Sequence, residues 1–140
     1  MPIKFPEGIK SSQLGESGPM WELEYQAEFE RKVKKYAKKH RQETMNAAAN
    51  LQAVLEGLNA GLKMRQIVRG FIHDEGEGAL AVDESGRGKH LLGTRLYFYP
   101  DEPTETVYVV TIGDKDSQKR DVKTTQDFVS RLRKNRQPEG

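Results

Sequence analysis

The pattern of apolar and polar positions changes period three times along the chain. Residues 20–25 (MWELEY) alternate and predict a first β-strand. Over residues 26–40 the spacing turns helical, with Phe29, Val33 and Tyr36 or Ala37 recurring at three- and four-residue steps. A second helix is expected over residues 42–59, its apolar stripe being Met45, Ala48, Leu51, Leu55 and Leu58, with Asn59 and Gly61 as terminators. So short a connection between them predicts a helical hairpin able to cover one face of a sheet.

Beyond it, residues 63–70 fit a helical turn or a short strand, and Phe71-Ile72-His73 can open a strand before a turn at 74–78. Residues 79–82 (ALAV) are a better strand, followed by a glycine-rich loop, Gly86-Arg87-Gly88-Lys89-His90. The strongest β signals are residues 94–99 (TRLYFY) and 107–112 (VYVVTI), rich in aromatic and β-branched side chains. Pro100-Asp101-Glu102-Pro103 reads as the turn that joins them in an antiparallel hairpin. Period-two alternation puts Arg95, Tyr97 and Tyr99 on one face, expected to be the outer one, and Leu96 and Phe98 on the other. Thr124 or Thr125 can cap a last, short helix containing Phe128, Val129 and Leu132, with Asp127 in its first turn. The expected fold is α+β: an antiparallel sheet of about four strands on an N-terminal helical hairpin, with a short C-terminal helix. Residues 1–19, with three prolines and no periodicity, read as a flexible arm; 20–135 form one domain; 136–140 are a frayed tail.

Composition narrows the chemistry. Cysteine is absent from the 140 residues, which excludes disulfides and thiolate metal sites. No signal-peptide core and no apolar run of bilayer length is present, so the expected location is cytoplasmic, with no membrane partner. The net charge is only +2, yet residues 31–41 (RKVKKYAKKHR) and 131–136 (RLRKNR) are strongly basic, balanced by acidic stretches at 16–30, 74–77, 83–84 and 101–105. Local basic surface on a nearly neutral chain suits an anionic partner that docks, although each run also reads as a solvated helix face.

Several catalytic classes drop out. His40, His73 and His90 lack zinc-type spacing, so no metal is expected. The glycines at 76–78 and 86–88 match neither a P-loop nor a dinucleotide fingerprint, no cofactor is implied, and there is no G-x-S-x-G elbow. Asp83 and Glu84 point to opposite faces of a strand and read as solvated turn or edge residues. What remains is a group of cations and aromatics suited to a phosphodiester.

Gly93-Thr94-Arg95-Leu96-Tyr97, a variable turn, an apolar strand and then Gly113-Asp114-Lys115, Gln118, Asp121 and Val122 resemble the end of the RelE/ParE superfamily of bacterial toxins. The likeness is closest to its addiction-module killer proteins and their G-D-K-x-x-Q-x-x-D-[IV] pattern. Upstream, only the order of elements matches. The resemblance implies a sheet with the first strand inside it, beside the last one. It implies a type II toxin acting as a metal-independent, ribosome-dependent messenger RNA endoribonuclease, with messenger RNA on the ribosome and a cognate antitoxin as partners. Arg95 falls where the family carries a functional arginine, for phosphate stabilisation, and Lys115 where it presents a basic side chain, for phosphate contact or proton donation. Tyr97 and Tyr99 are placed to stack on a base, with Lys119, Arg120 and His90 as further substrate contacts. As ordinary structure, Arg95 would be a cross-strand ion pair, Lys115 a loop lysine, the tyrosines strand residues and His90 a surface histidine.

Asp121 stands where several ribonucleases of the family have a tyrosine, and Asp83-Glu84 where some place lysines, so the general base is unassigned. Two alternatives use the same scaffold: a ParE-like inhibitor of DNA gyrase that is not an enzyme, and a non-toxic RNA- or protein-binding module.

Overall fold

The computed structural model describes residues 20–85 and 93–136. The expectations for the 1–19 arm, the Gly86–His90 loop and residues 137–140 lie outside the described residues. Strand β1 (Glu22–Tyr25) leads into helices α1 (Ala27–Lys39) and α2 (Arg41–Asn59). Strands β2 (Ile72–Gly76), β3 (Ala79–Asp83), β4 (Arg95–Asp101) and β5 (Thr106–Gly113) follow, and helix α3 (Gln118–Arg136) ends the described chain.

The two N-terminal helices form where the periodicity puts them. Glu28 and Glu30 lie in the first turn of α1 and Lys38 and Lys39 in its last, each favourable to the helix dipole. His40 alone joins α1 to α2, its carbonyl accepting from both the backbone N–H and the hydroxyl of Thr44. Helix α2 ends in a Schellman motif: Gly61 N–H bonds to Leu58 O at 3.0 Å and Leu62 N–H to Gly57 O at 3.1 Å. Gly61 supplies the left-handed residue this stop requires, with φ 98°. Met45, expected in the apolar stripe, is instead exposed; Ala47 and Val54 fill the buried face with Ala48, Leu51, Leu55 and Leu58. Residues 63–70 resolve as one 3₁₀ turn, Met64–Gln66.

The sheet has five strands in the order β1-β5-β4-β3-β2. It is mixed rather than antiparallel, because β1 runs parallel to β5 while every other pair is antiparallel. The additional strand is β2, which Phe71-Ile72-His73 hinted at and which pairs with β3 around the Gly76-Glu77-Gly78 turn. Strand β1 does lie beside the last strand, but at the sheet edge and not inside the sheet.

Pro100 belongs to β4, opposite Val107, and the turn begins only after Asp101. A proline is tolerated there because β3 pairs with β4 no further than Phe98, so Pro100 has no neighbour on that side to bond.

One sheet face carries the main core. Val82, Leu96, Phe98, Val107, Val109 and Ile112 meet Phe29 and Val33 of α1 and Leu51, Val54, Leu55 and Leu58 of α2. The opposite face holds Ala79, Ala81, Tyr97 and Val110, all buried, and α3 lies across it with Val129 and Thr125 facing inward. The expectation that the arginine–tyrosine face is open to solvent is therefore corrected: a helix covers it. That helix is neither short nor capped at Thr124 or Thr125. It starts at Gln118, has Asp121 in its first turn, and buries Thr125, whose hydroxyl donates to the Asp121 carbonyl. Arg136 is its last described residue and is tied to Asp101, so it is not part of a loose tail. Among the described residues no helix is long and apolar enough to cross a membrane.

Candidate functional site

The G-D-K-x-x-Q-x-x-D segment is held together by one buried carboxylate. Asp121 is 1% exposed. Its Oδ1 accepts from Lys32 Nζ at 3.0 Å and its Oδ2 from Ser117 Oγ at 2.6 Å, while Lys32 also donates to Thr111 Oγ1. Lys32 reaches it because β1 pairs only with residues 106–109 of β5, so α1 packs along the rest of that strand. Gly113 lies beneath: a Cβ there would overlap Asp121 Oδ2 and Ser117 Oγ. Asp114 Oδ1 accepts from the backbone N–H groups of Asp116 and Ser117, closing the turn before α3. Gly113, Asp114 and Asp121 are thus structural parts of a strand-to-helix corner.

Beside this corner lies an open cleft of about 390 Å³, lined by residues that include Lys32, Tyr36, Asp114, Ser117 and Arg120. The Tyr36 hydroxyl is 2.6 Å from Thr94 Oγ1. Burial, aided by Asp114, Glu84 and Glu43 and opposed by the Thr94 bond, pushes its pKa up to about 12. The phenol stays protonated at neutral pH and acts only as a hydrogen-bonding group.

Arg95 pairs with Gly113 across the β4–β5 ladder, at the end of the sheet where Lys115 emerges. The Lys115 stem passes so close to Gly93 that a Cβ on Gly93 would overlap its Cγ. Lys115, Lys119 and Arg120 are exposed, the last two in the first turn of α3 rather than in a loop. Arg95 Nη1 donates to Glu75 Oε2 at 2.7 Å, the arginine side chain 21% and the glutamate 12% exposed. Glu75 uses one of five guanidinium donors, so the arginine retains capacity for a second anion.

Tyr97 is 0% exposed, and burial raises its pKa; packed under α3, its ring offers no free face to a base. Tyr99 is half-buried under the Arg133 guanidinium, 5.7 Å from its ring centroid. The structure therefore brings Arg95 and Lys115 to one end of the sheet and leaves both tyrosines under α3. His90 lies outside the described residues.

Residues that the sequence reading passed over complete the Arg95 surroundings. Asp83, taken as a solvated turn or edge residue, faces Arg95 in the β3–β4 register and holds His73 Nε2 at 2.7 Å through Oδ2. Burial raises the Asp83 pKa, but bonds from Ser85 and His73 outweigh it and hold the carboxyl below the usual range. Spacing could not reveal this pair, because ten residues and a turn separate the two. The available signal was period-two alternation on both β2 and β3, which aims His73 and Asp83 at one face once the hairpin is recognised. On α1, Lys34, Lys35, Lys38 and Lys39 are exposed and have no ion-pair partner among the described residues. Comparison with known proteins gives no match: no family model, no curated protein and no solved structure is significantly similar to this chain.

Proposed function

We propose that this protein is the toxin of a type II toxin–antitoxin pair, a metal-independent endoribonuclease acting on messenger RNA at the ribosome. The observation that carries the reading is the pairing of Arg95 with Gly113. It sets a partly exposed guanidinium and the Lys115 ammonium at one end of the sheet, next to Lys119 and Arg120. Cleavage of RNA without a metal requires cations on the crowded phosphate, and Arg95 supplies a planar fork for that purpose. The cationic side of α1 adds a surface for the ribose–phosphate chain outside the scissile bond. The expected antitoxin covers this end of the sheet or wraps the α1–α2 hairpin.

A second reading, a non-enzymatic inhibitor of DNA gyrase, is favoured by the burial of Tyr97 and by the carboxylate already on Arg95. Primer extension on a messenger RNA incubated with the protein, with and without ribosomes, separates the two. The ribonuclease reading expects cuts only with ribosomes, reduced about 10²–10³-fold in Arg95→Ala, the loss typical of one oxyanion donor. Absence of cuts in the wild type, with supercoiling by gyrase blocked, would establish the second reading.

A further inference from the structure

The His73–Asp83 pair is the best-defined proton-handling group among the described residues, and neither the resemblance nor the sequence reading gave it a role. It sits on the α3 side of the sheet, where β3 ends and β4 begins, with His73 29% and Asp83 20% exposed. Its environment fixes the tautomer. An ionised carboxylate can only accept, so in the neutral ring Nε2, 2.7 Å from Asp83 Oδ2, carries the proton and Nδ1 the lone pair. Asp83 is itself held by the Ser85 backbone N–H at 2.8 Å and the Ser85 hydroxyl at 2.5 Å, so its orientation does not depend on His73. Among the described residues nothing bonds Nδ1. Register places Arg95 directly across from Asp83, on the same sheet face. Among the described residues, the charged groups that hydrogen bonds and register bring to this patch are Asp83 on β3, Arg95 on β4 and Glu75 at the β2 irregularity. Helix α3 contributes the neutral Gln126, whose amide donates to the Glu75 carbonyl.

We propose that His73, oriented by the Asp83 that register sets across from Arg95, is the general base that activates the RNA 2′-hydroxyl. The inference rests on the ribonuclease reading and deepens it. His73 Nδ1 takes the 2′-hydroxyl proton, the 2′-oxygen forms a bond to the adjacent phosphorus, and the bond from phosphorus to the 5′-oxygen breaks. The leaving oxygen takes its proton from Lys115 or water, giving a 2′,3′-cyclic phosphate and a 5′-hydroxyl. Arg95 stabilises the phosphorane, and Asp83 stabilises the imidazolium formed in the same step.

The test is single-turnover cleavage of a messenger RNA on programmed ribosomes, followed from about pH 5 to about pH 8, where histidine titrates. His73→Gln is expected to lose about 10²–10⁴-fold in rate and the rising limb of the profile. Asp83→Asn is expected to lose rate as well, because an amide can turn its N–H toward Nε2 and favour the tautomer that leaves Nδ1 without its lone pair. His73→Gln is further expected to bind ribosomes carrying a 2′-deoxy substituted message as tightly as wild type. Thermal melts of each variant identify any loss due to unfolding, and His73→Asn, which keeps a donor and acceptor, then replaces an unfolded variant.

An unchanged rate and profile in folded His73→Gln, while Arg95→Ala is inactive, overturns the dyad and leaves the ribonuclease reading standing. A binding loss equal to the rate loss likewise removes His73 from the chemistry. No cleavage by wild type removes the ribonuclease reading, and the dyad with it.

Discussion

At Gly113 the strand passes so close to Ser117 and Asp121 that hydrogen alone fits as a side chain. Both neighbours are fixed by hydrogen bonds and cannot retreat without breaking the Asp121 contacts. Gly113→Ala should therefore cost about 1–3 kcal/mol, as overpacking of a filled site does. Denaturant midpoints measure it; an unchanged midpoint would mean the corner is looser than its hydrogen bonds imply. Asp121→Ala removes the anchor itself and strands the Lys32 ammonium. A broken buried pair costs about 3–5 kcal/mol, and because Lys32 is a quarter exposed, the lower end, about 3 kcal/mol, is expected. These two residues also account for the legibility of the G-D-K motif. Its glycine and second aspartate are dictated by how a strand turns into α3 and by what Lys32 must meet, which ties the pattern to fold more firmly than to catalysis.

Helix α3 is fastened to the sheet at both ends, by Asp121 at its start and by Arg136 at its finish. Arg136 Nη1 bonds to Asp101 Oδ1 at 2.6 Å, and the Asp101 side chain is buried. Burial pushes the Asp101 pKa up, but the Arg136 bond and a second from Thr104 outweigh it, so the carboxyl titrates below its ordinary value. A depressed carboxylate contributes stability above its unfolded pKa, and that contribution is lost as pH falls through the folded one. Arg136→Ala should thus be less stable than wild type at neutral pH, with the two stability curves converging in acid. Parallel curves down to about pH 2 would show that Arg136 acts by packing alone. The same helix marks where the sequence was hardest to read. Its first turn, Gln118-Lys119-Arg120-Asp121, is wholly polar and carries no apolar period, because Asp121 is buried through ion pairing. Strand β5 hid a second feature. Val107, Val109 and Ile112 share one core although strict alternation puts Ile112 on the opposite side. The β4–β5 register jumps between Tyr97 and Phe98, leaving Val110 as an extra residue that reverses the parity. By contrast, the bounds of α1 and α2 were legible almost to the residue from their apolar spacing, although the buried face of α2 also takes in Glu43, Thr44, Asn46 and Asn50.

Across the whole molecule, charge is sorted by position rather than by total. Residues 31–41 contain seven lysines and arginines and no acid, and Lys32 alone of them turns inward to Asp121. Lys34, Lys35, Lys38 and Lys39 remain on the exposed side of α1, free of ion pairs among the described residues. A solvated helix face needs no such bias, because alternating signs would solubilise it equally well. If these lysines lie on phosphates, each releases about one counterion on binding, and the logarithm of affinity falls with the logarithm of salt accordingly. Replacing all four by glutamine should flatten the salt dependence of binding to ribosomes by about four units of slope, and weaken binding most at low salt. The fold should survive, since none of the four contributes to the core. Filter binding over a salt series measures the slope. A flattening with the single-turnover cleavage rate at saturating ribosomes unchanged would place α1 on the ribosome and leave catalysis to the Arg95 end of the sheet. An unchanged slope would return α1 to the status of a solvated face, and the phosphate contacts would then have to come from Lys115, Lys119 and Arg120.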